Sequence, residues 1–83
     1  MQITVYTLPA CVQCDSTKRM LTKAMVDFEV IDLSTDPAAM ERIKELGYTQ
    51  APVVEAGNQH WSGFRMERLQ SLIKIAKGED TKA

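Results

Sequence analysis

The chain has 83 residues, 45% of them hydrophobic and 25% charged, with a net charge of −1; that is the make-up of one ordinary globular domain with a single modest core. A charge balance near zero, with no basic face and no aromatic–basic interleaving, argues against a nucleic-acid partner. No apolar stretch approaches the ~18 residues of a membrane span, and with no signal peptide expected and a single cysteine pair, the chain is assigned to the reducing cytoplasm.

In chain order, residues 2–6 alternate with Ile3 and Val5 on one face and predict a first strand. Pro9 and Ala10 break it. From Val12 to about Val26, Met20, Leu21, Ala24 and Met25 recur at helical spacing, with Lys18, Arg19 and Lys23 elsewhere around the cylinder. Residues 28–32 alternate again and predict a second strand, parallel to the first because a helix joins the two. Asp36 before Pro37 reads as an N-cap followed by proline at the first helical position. Met40, Ile43 and Leu46 then mark an apolar face, and Gly47 terminates the helix. Residues 52–55 and 59–61 flank Ala56-Gly57-Asn58 as a hairpin. Gly63 precedes a last helix from about Phe64 to Lys77, with Leu69, Leu72, Ile73 and Ala76 on one face and Gly78 at its end. The order β-α-β-α-β-β-α predicts an α/β domain over residues 1–78, a mixed four-stranded sheet flanked by three helices, with 79–83 a frayed tail. Met20, Met25 and Met40 are expected in the core, and His60 as a plain strand residue.

Cys11 and Cys14 are the only cysteines, and two residues separate them. A strand, a short loop and a helix start place Cys11 at a helix N-terminus, where unpaired N–H groups and the helix dipole favour an anion. A thiolate is such an anion and is the nucleophile of disulfide exchange. Residues three apart on a helix are neighbours, so Cys14 can close a disulfide with Cys11. The alternative is an inert buried pair or part of a metal site. A structural zinc takes four ligands, and the chain offers two cysteines and His60; no metal site is assigned.

The element order, with Cys-x-x-Cys after the first strand and Ala-Pro before the third, resembles the thioredoxin fold. Cys11-Val12-Gln13-Cys14 resembles the active site of the NrdH-redoxins, small glutaredoxin-like proteins. Gln50-Ala51-Pro52-Val53-Val54 is similar to the segment carrying their cis-proline, and Trp61-Ser62-Gly63-Phe64-Arg65 to their Trp-Ser-Gly-Phe-Arg run. The resemblance implies a dithiol oxidoreductase in which Cys11 attacks a partner's disulfide and Cys14 resolves the mixed disulfide. It further implies reduction by thioredoxin reductase, and class Ib ribonucleotide reductase (its large subunit) as the acceptor. No cofactor is bound by the redoxin itself; FAD and NADPH belong to the partner reductase. A monomer is expected.

Carried residue by residue, the resemblance makes Pro52 cis, with the Ala51 backbone open to an added partner strand. Val12 and Gln13 join the partner-binding set. Trp61 and Phe64 are read either as core residues or as a docking surface, and the resemblance favours a mixed role. Ser62, Gly63 and Arg65 then hold a loop while Trp61 helps to shape the surface, with Arg65 its staple or else a contact to a partner's carboxylates, and all five join the partner-binding set. Two positions depart from the family pattern. Leu8 stands where a cation is frequent, leaving Cys11 to helix-terminal N–H groups, and Met66 stands where proline commonly continues the run, shifting the helix start. A glutathione-using glutaredoxin is the alternative. Residues 62–65 lack the Gly-Gly pair and acid that typically hold glutathione, so weak glutathione binding is expected. A non-catalytic module binding a metal or iron–sulfur centre is the third reading.

Overall fold

A computed structural model describes residues 2–78; the tail expected over 79–83 lies outside them. The elements are β1 (Ile3–Thr7), α1 (Val12–Lys23), β2 (Glu29–Asp32), α2 (Pro37–Glu45), β3 (Val53–Ala56), β4 (Gln59–Ser62) and α3 (Met66–Ala76). The sheet order is β2-β1-β3-β4. The β1–β2 pair is parallel, whereas β1–β3 and β3–β4 are antiparallel. This is the thioredoxin fold that the element order resembles.

Strand alternation divides the core between the two faces of the sheet. Ile3, Val5, Val54, Ala56 and Trp61 pack with Leu21 of α1 and Leu69 and Leu72 of α3. Tyr6 and Val53 face the other way, against Ala39 and Ile43 of α2 and against Leu33. Two helices therefore cover one face and a single helix the other. Each fully buried Leu or Ile contributes about 1.5–3 kcal/mol on this count. Among the described residues no helix is long and apolar enough to cross a membrane.

The helix ends show how local sequence sets the boundaries. Asp36 caps α2, its Oδ1 accepting the Ala39 N–H at 3.0 Å, as the Asp-Pro pair predicts. The helix closes in a Schellman motif: Gly47 at φ 95 donates to Lys44 O, and Tyr48 donates to Ile43 O. The end of α1 has the same two bonds, from Met25 to Thr22 O and from Val26 to Leu21 O. There the left-handed residue is Met25, at φ 60. That bend ends α1 at Lys23, short of the predicted Val26. It also corrects the placement of Met25, which is 89% exposed and not in the core; Met20 and Met40 are partly buried against the two clusters, as expected.

The hairpin turn is tighter than predicted, because Ala56 pairs with Gln59 and leaves only Gly57-Asn58 between the strands. Positive φ is confined to Gly57, the pattern of a II′ turn. Helix α3 starts at Met66 rather than Phe64, since the preceding N–H groups are bonded elsewhere: Gly63 to Pro52 O and Phe64 to Gln13. Arg65 takes the N-cap in an extended conformation with no side-chain cap bond.

Candidate active site

The dithiol stands where β1 runs into α1. Ala10 at φ 56 turns the chain out of the Pro9 loop, a left-handed conformation of the kind that clusters at functional sites. Cys11 is the N-cap of α1, extended at φ −112 and ψ 108, and its Sγ accepts the Cys14 N–H at 3.1 Å. Sulfur thus takes the place of the oxygen of an ordinary N-cap. Cys11 and Cys14 are joined as a disulfide, with Cα atoms 5.2 Å apart. Cys11 is half-buried, while Cys14 is 1% exposed. Of the two residues, Cys11 keeps some contact with solvent and Cys14 is buried.

The second wall comes from β3 and β4. The Ala51–Pro52 bond is cis and Pro52 is buried. Since Tyr6 pairs with Val53, one further step of the register sets Pro52 beside Thr7, at the end of the sheet from which the cysteine loop departs. Gly63 donates to Pro52 O at 2.8 Å, and Ser62 Oγ donates to Gln50 O at 3.1 Å. The Phe64 N–H donates to Gln13 Oε1 at 3.1 Å. Gln13 lies between the two cysteines, so this bond ties the first turn of α1 to the loop before α3. Behind it, the buried Thr17 hydroxyl donates to Gln13 O at 2.9 Å. The sequence names Gln13 and Phe64 separately, but nothing local signals a bond spanning 51 residues.

The glutaredoxin family profile matches residues 3–61. The glutaredoxin-like protein NrdH of Escherichia coli K12 is 44% identical over 72 residues, covering 87% of this chain and 89% of the relative. Its namesake from Lactococcus lactis is 33% identical over 70 residues, covering 84% and 97%. The solved structure of the E. coli NrdH-redoxin, described as having a thioredoxin-like activity profile, superposes with a TM-score of 0.83 at 44% identity, covering 87% of this chain and 95% of that one. The chain belongs to the glutaredoxin family, among its NrdH-redoxins. A glutaredoxin-like redoxin with a Cys-x-x-Cys pair is a protein disulfide oxidoreductase.

Two positions in the redoxin's Trp-Ser-Gly-Phe-Arg run differ from expectation. Trp61 is 2% exposed and packs in the core among Leu69 and Leu72, so it shapes no surface. The Arg68 guanidinium lies 4.8 Å from its ring centroid, a cation–π contact. Arg65 is exposed, and its side chain makes no hydrogen bond or ion pair with a described residue. The staples of the loop are the Ser62 hydroxyl, the Gly63 N–H and the Gln13 amide. Phe64 is partly buried against the α1–α3 side of the core. Val12 is 79% exposed beside Cys11, and Leu8 is 37% exposed.

His60 does more than line a strand: Tyr48 Oη lies 2.8 Å from its Nδ1 and donates to its carbonyl at 3.2 Å. On the same side of β3, Glu55 pairs with Arg42 of α2 and accepts the Tyr6 hydroxyl at 2.9 Å. The Arg42 hydrogen bond holds the Glu55 carboxyl below the usual carboxylate range. Burial, then the Glu55 hydrogen bond, pushes the Tyr6 phenol up. Among the described residues, no three His, Cys, Asp or Glu side chains converge as a metal site. The Nδ1 of His60, the chain's one histidine, is engaged by Tyr48.

Proposed function

We propose that this redoxin carries electrons from NADPH, by way of thioredoxin reductase, to a class Ib ribonucleotide reductase in the cytoplasm, acting as a monomer. The observation that carries the reading is the asymmetry of the pair: Cys11 Sγ at the helix mouth with an N–H aimed at it, and Cys14 buried. Reduced Cys11, as a thiolate held by that N–H and the helix dipole, attacks one sulfur of the acceptor's disulfide. A mixed disulfide forms, and the acceptor's other sulfur leaves as a thiolate that takes up a proton. Cys14 then loses its proton and attacks Cys11 Sγ, releasing the second acceptor thiol. The acceptor gains two electrons and two protons, and the redoxin is left with the Cys11–Cys14 disulfide. The reductase restores the dithiol with electrons that its own FAD draws from NADPH.

Ala51 presents backbone to an incoming partner strand, with Val12, Gln13, Ser62, Gly63, Phe64 and Arg65 around it. The likeness to the E. coli protein, whose activity profile is thioredoxin-like, supports the reductase over glutathione. So does the run Ser62-Gly63-Phe64-Arg65, which has no Gly-Gly pair and no acid. The test is a coupled assay following NADPH consumption, with thioredoxin reductase in one arm and glutathione plus glutathione reductase in the other. Turnover is expected in the first arm. Turnover in the second alone would establish the glutathione-dependent alternative.

A further inference from the structure

At ~100° per residue, Val12, Ser16, Arg19 and Lys23 fall within about 60° of one another on α1. They form a strip that starts beside Cys11 and runs down the outside of the helix. At its middle the strip opens into a groove of about 250 Å³, lined by Ser16, Arg19, Met20, Lys23, Phe64 and Met66. The floor and far wall are apolar: Met20 and Phe64 rest on the core, and Met66 is 52% exposed. The near rim is cationic. Neither Arg19 nor Lys23 has an ion-pair partner among the described residues; the α1 ion pair joins Lys18 to Asp15, at 3.7 Å and further round the helix. Glu67, which follows Met66, is in ion-pair range of neither. The Gln13–Phe64 bond fixes the far wall to the helix turn that carries the dithiol.

The size decides what fits. Ligand pockets for whole small molecules run from about 300 to 1,000 Å³ and enclose most of the ligand. This groove is smaller and open, suited to one apolar side chain of a longer segment. The eleven steps from Val12 to Lys23 rise about 16 Å, a distance spanned by about five extended residues. We infer that this strip seats the part of the disulfide partner that continues beyond its attacked cysteine, and selects an acidic segment carrying one large apolar side chain. The apolar side chain enters between Met20, Phe64 and Met66, and the carboxylates meet Arg19 and Lys23. The inference rests on the disulfide-reducing reading of Cys11, and adds how that site chooses among disulfides.

The test uses three disulfides and the reduced full chain. Two are six-residue peptides whose first residue is a cysteine in mixed disulfide with thionitrobenzoate. One has a phenylalanine followed by two glutamates, and the other has the same phenylalanine followed by two lysines. The third is bis(2-hydroxyethyl) disulfide, which reaches Cys11 but not the groove. Attack on the peptide sulfur releases coloured thionitrobenzoate, and Cys14 then frees the peptide thiol. The acidic peptide is expected to react about 3- to 10-fold faster than the lysine peptide at low ionic strength, the range two exposed charge pairs supply, and the preference should fade with salt. In the exposed double variant Arg19→Gln/Lys23→Gln the preference should disappear while the bis(2-hydroxyethyl) disulfide rate is unchanged. Replacing the peptide's phenylalanine with serine should slow the wild type by at least threefold. Equal peptide rates in the wild type, or a preference that survives the double variant, would overturn the groove and leave the redox reading standing. No reduction of bis(2-hydroxyethyl) disulfide by the wild type would instead overturn the reading of Cys11.

Discussion

Replacing Gly63 with alanine tests how the loop before α3 serves the dithiol. Gly63 sits at φ 90, and a Cβ there would meet only Gln13 Oε1, at 3.7 Å, an ordinary contact. The cost is therefore backbone strain, about 1–2 kcal/mol for an L-residue in left-handed space. Alanine also narrows the unfolded ensemble, which returns about 0.4–1 kcal/mol. The net loss is about 0.5–1.5 kcal/mol, and a domain of this size loses roughly 4–8 °C of Tm per kcal/mol. Gly57 is the control: it lies at φ 60, has open space around the missing Cβ, and belongs to the hairpin turn at the other end of the sheet. Both Gly63→Ala and Gly57→Ala should melt lower by a few degrees in far-UV circular dichroism. Only Gly63→Ala should also slow NADPH consumption with thioredoxin reductase, because relaxing its φ disturbs the bonds to Pro52 O and Gln13 Oε1. If Gly63→Ala melts like the wild type, or if Gly57→Ala loses as much turnover, the proposed coupling between loop and dithiol is refuted.

Met25→Gly should raise stability by about 0.5–1 kcal/mol, since relief of left-handed strain exceeds the added unfolded-state entropy and an 89% exposed side chain gives up no burial; urea unfolding would show it as a higher midpoint at constant slope. Glu55, held below its ordinary value of 4.5 chiefly by Arg42, contributes stability that is present above that value and lost as pH falls through the lowered one. Unfolding titrations from pH 7 to 3 should therefore decline less steeply for Glu55→Gln than for the wild type, and parallel curves would remove the ion pair from the account. Cys14→Ser should accumulate a mixed disulfide with a protein acceptor, visible on a non-reducing gel, whereas Cys11→Ser should form none and reduce nothing.

Legibility of the fold followed how much each residue carries by itself. Asp36-Pro37 and Gly47 state a helix start and stop through their own φ preferences and side-chain chemistry, and α2 is bounded by them. The cysteines were readable because a strand, a break and a helix start leave one place for Cys11. Met25 carries no such mark; the Schellman bonds at the end of α1, with Val26 drawn into the core, hold it left-handed. Phe64 and Arg65 have helical neighbours and predict helix, yet the Gly63 bond to Pro52 O and the Phe64 bond to Gln13 Oε1, both to distant parts of the chain, hold the loop before Met66, and Arg65 at the N-cap is extended. Trp61 alternates correctly along β4, but whether its face meets solvent or α3 is a tertiary fact, as are the Tyr48–His60 and Arg42–Glu55 pairings. What local patterning left out of the site is its cross-chain hydrogen bonding.

Everything functional depends on Cys11 ionising more readily than an ordinary thiol. The direct measurement is the pH dependence of iodoacetamide alkylation of the reduced chain, with the modified residue located by peptide mass. Cys11 should alkylate with a midpoint clearly below the ~8.5 of free cysteine, and Cys14 should stay largely unmodified. A Cys11 midpoint at or above that of free cysteine would contradict it.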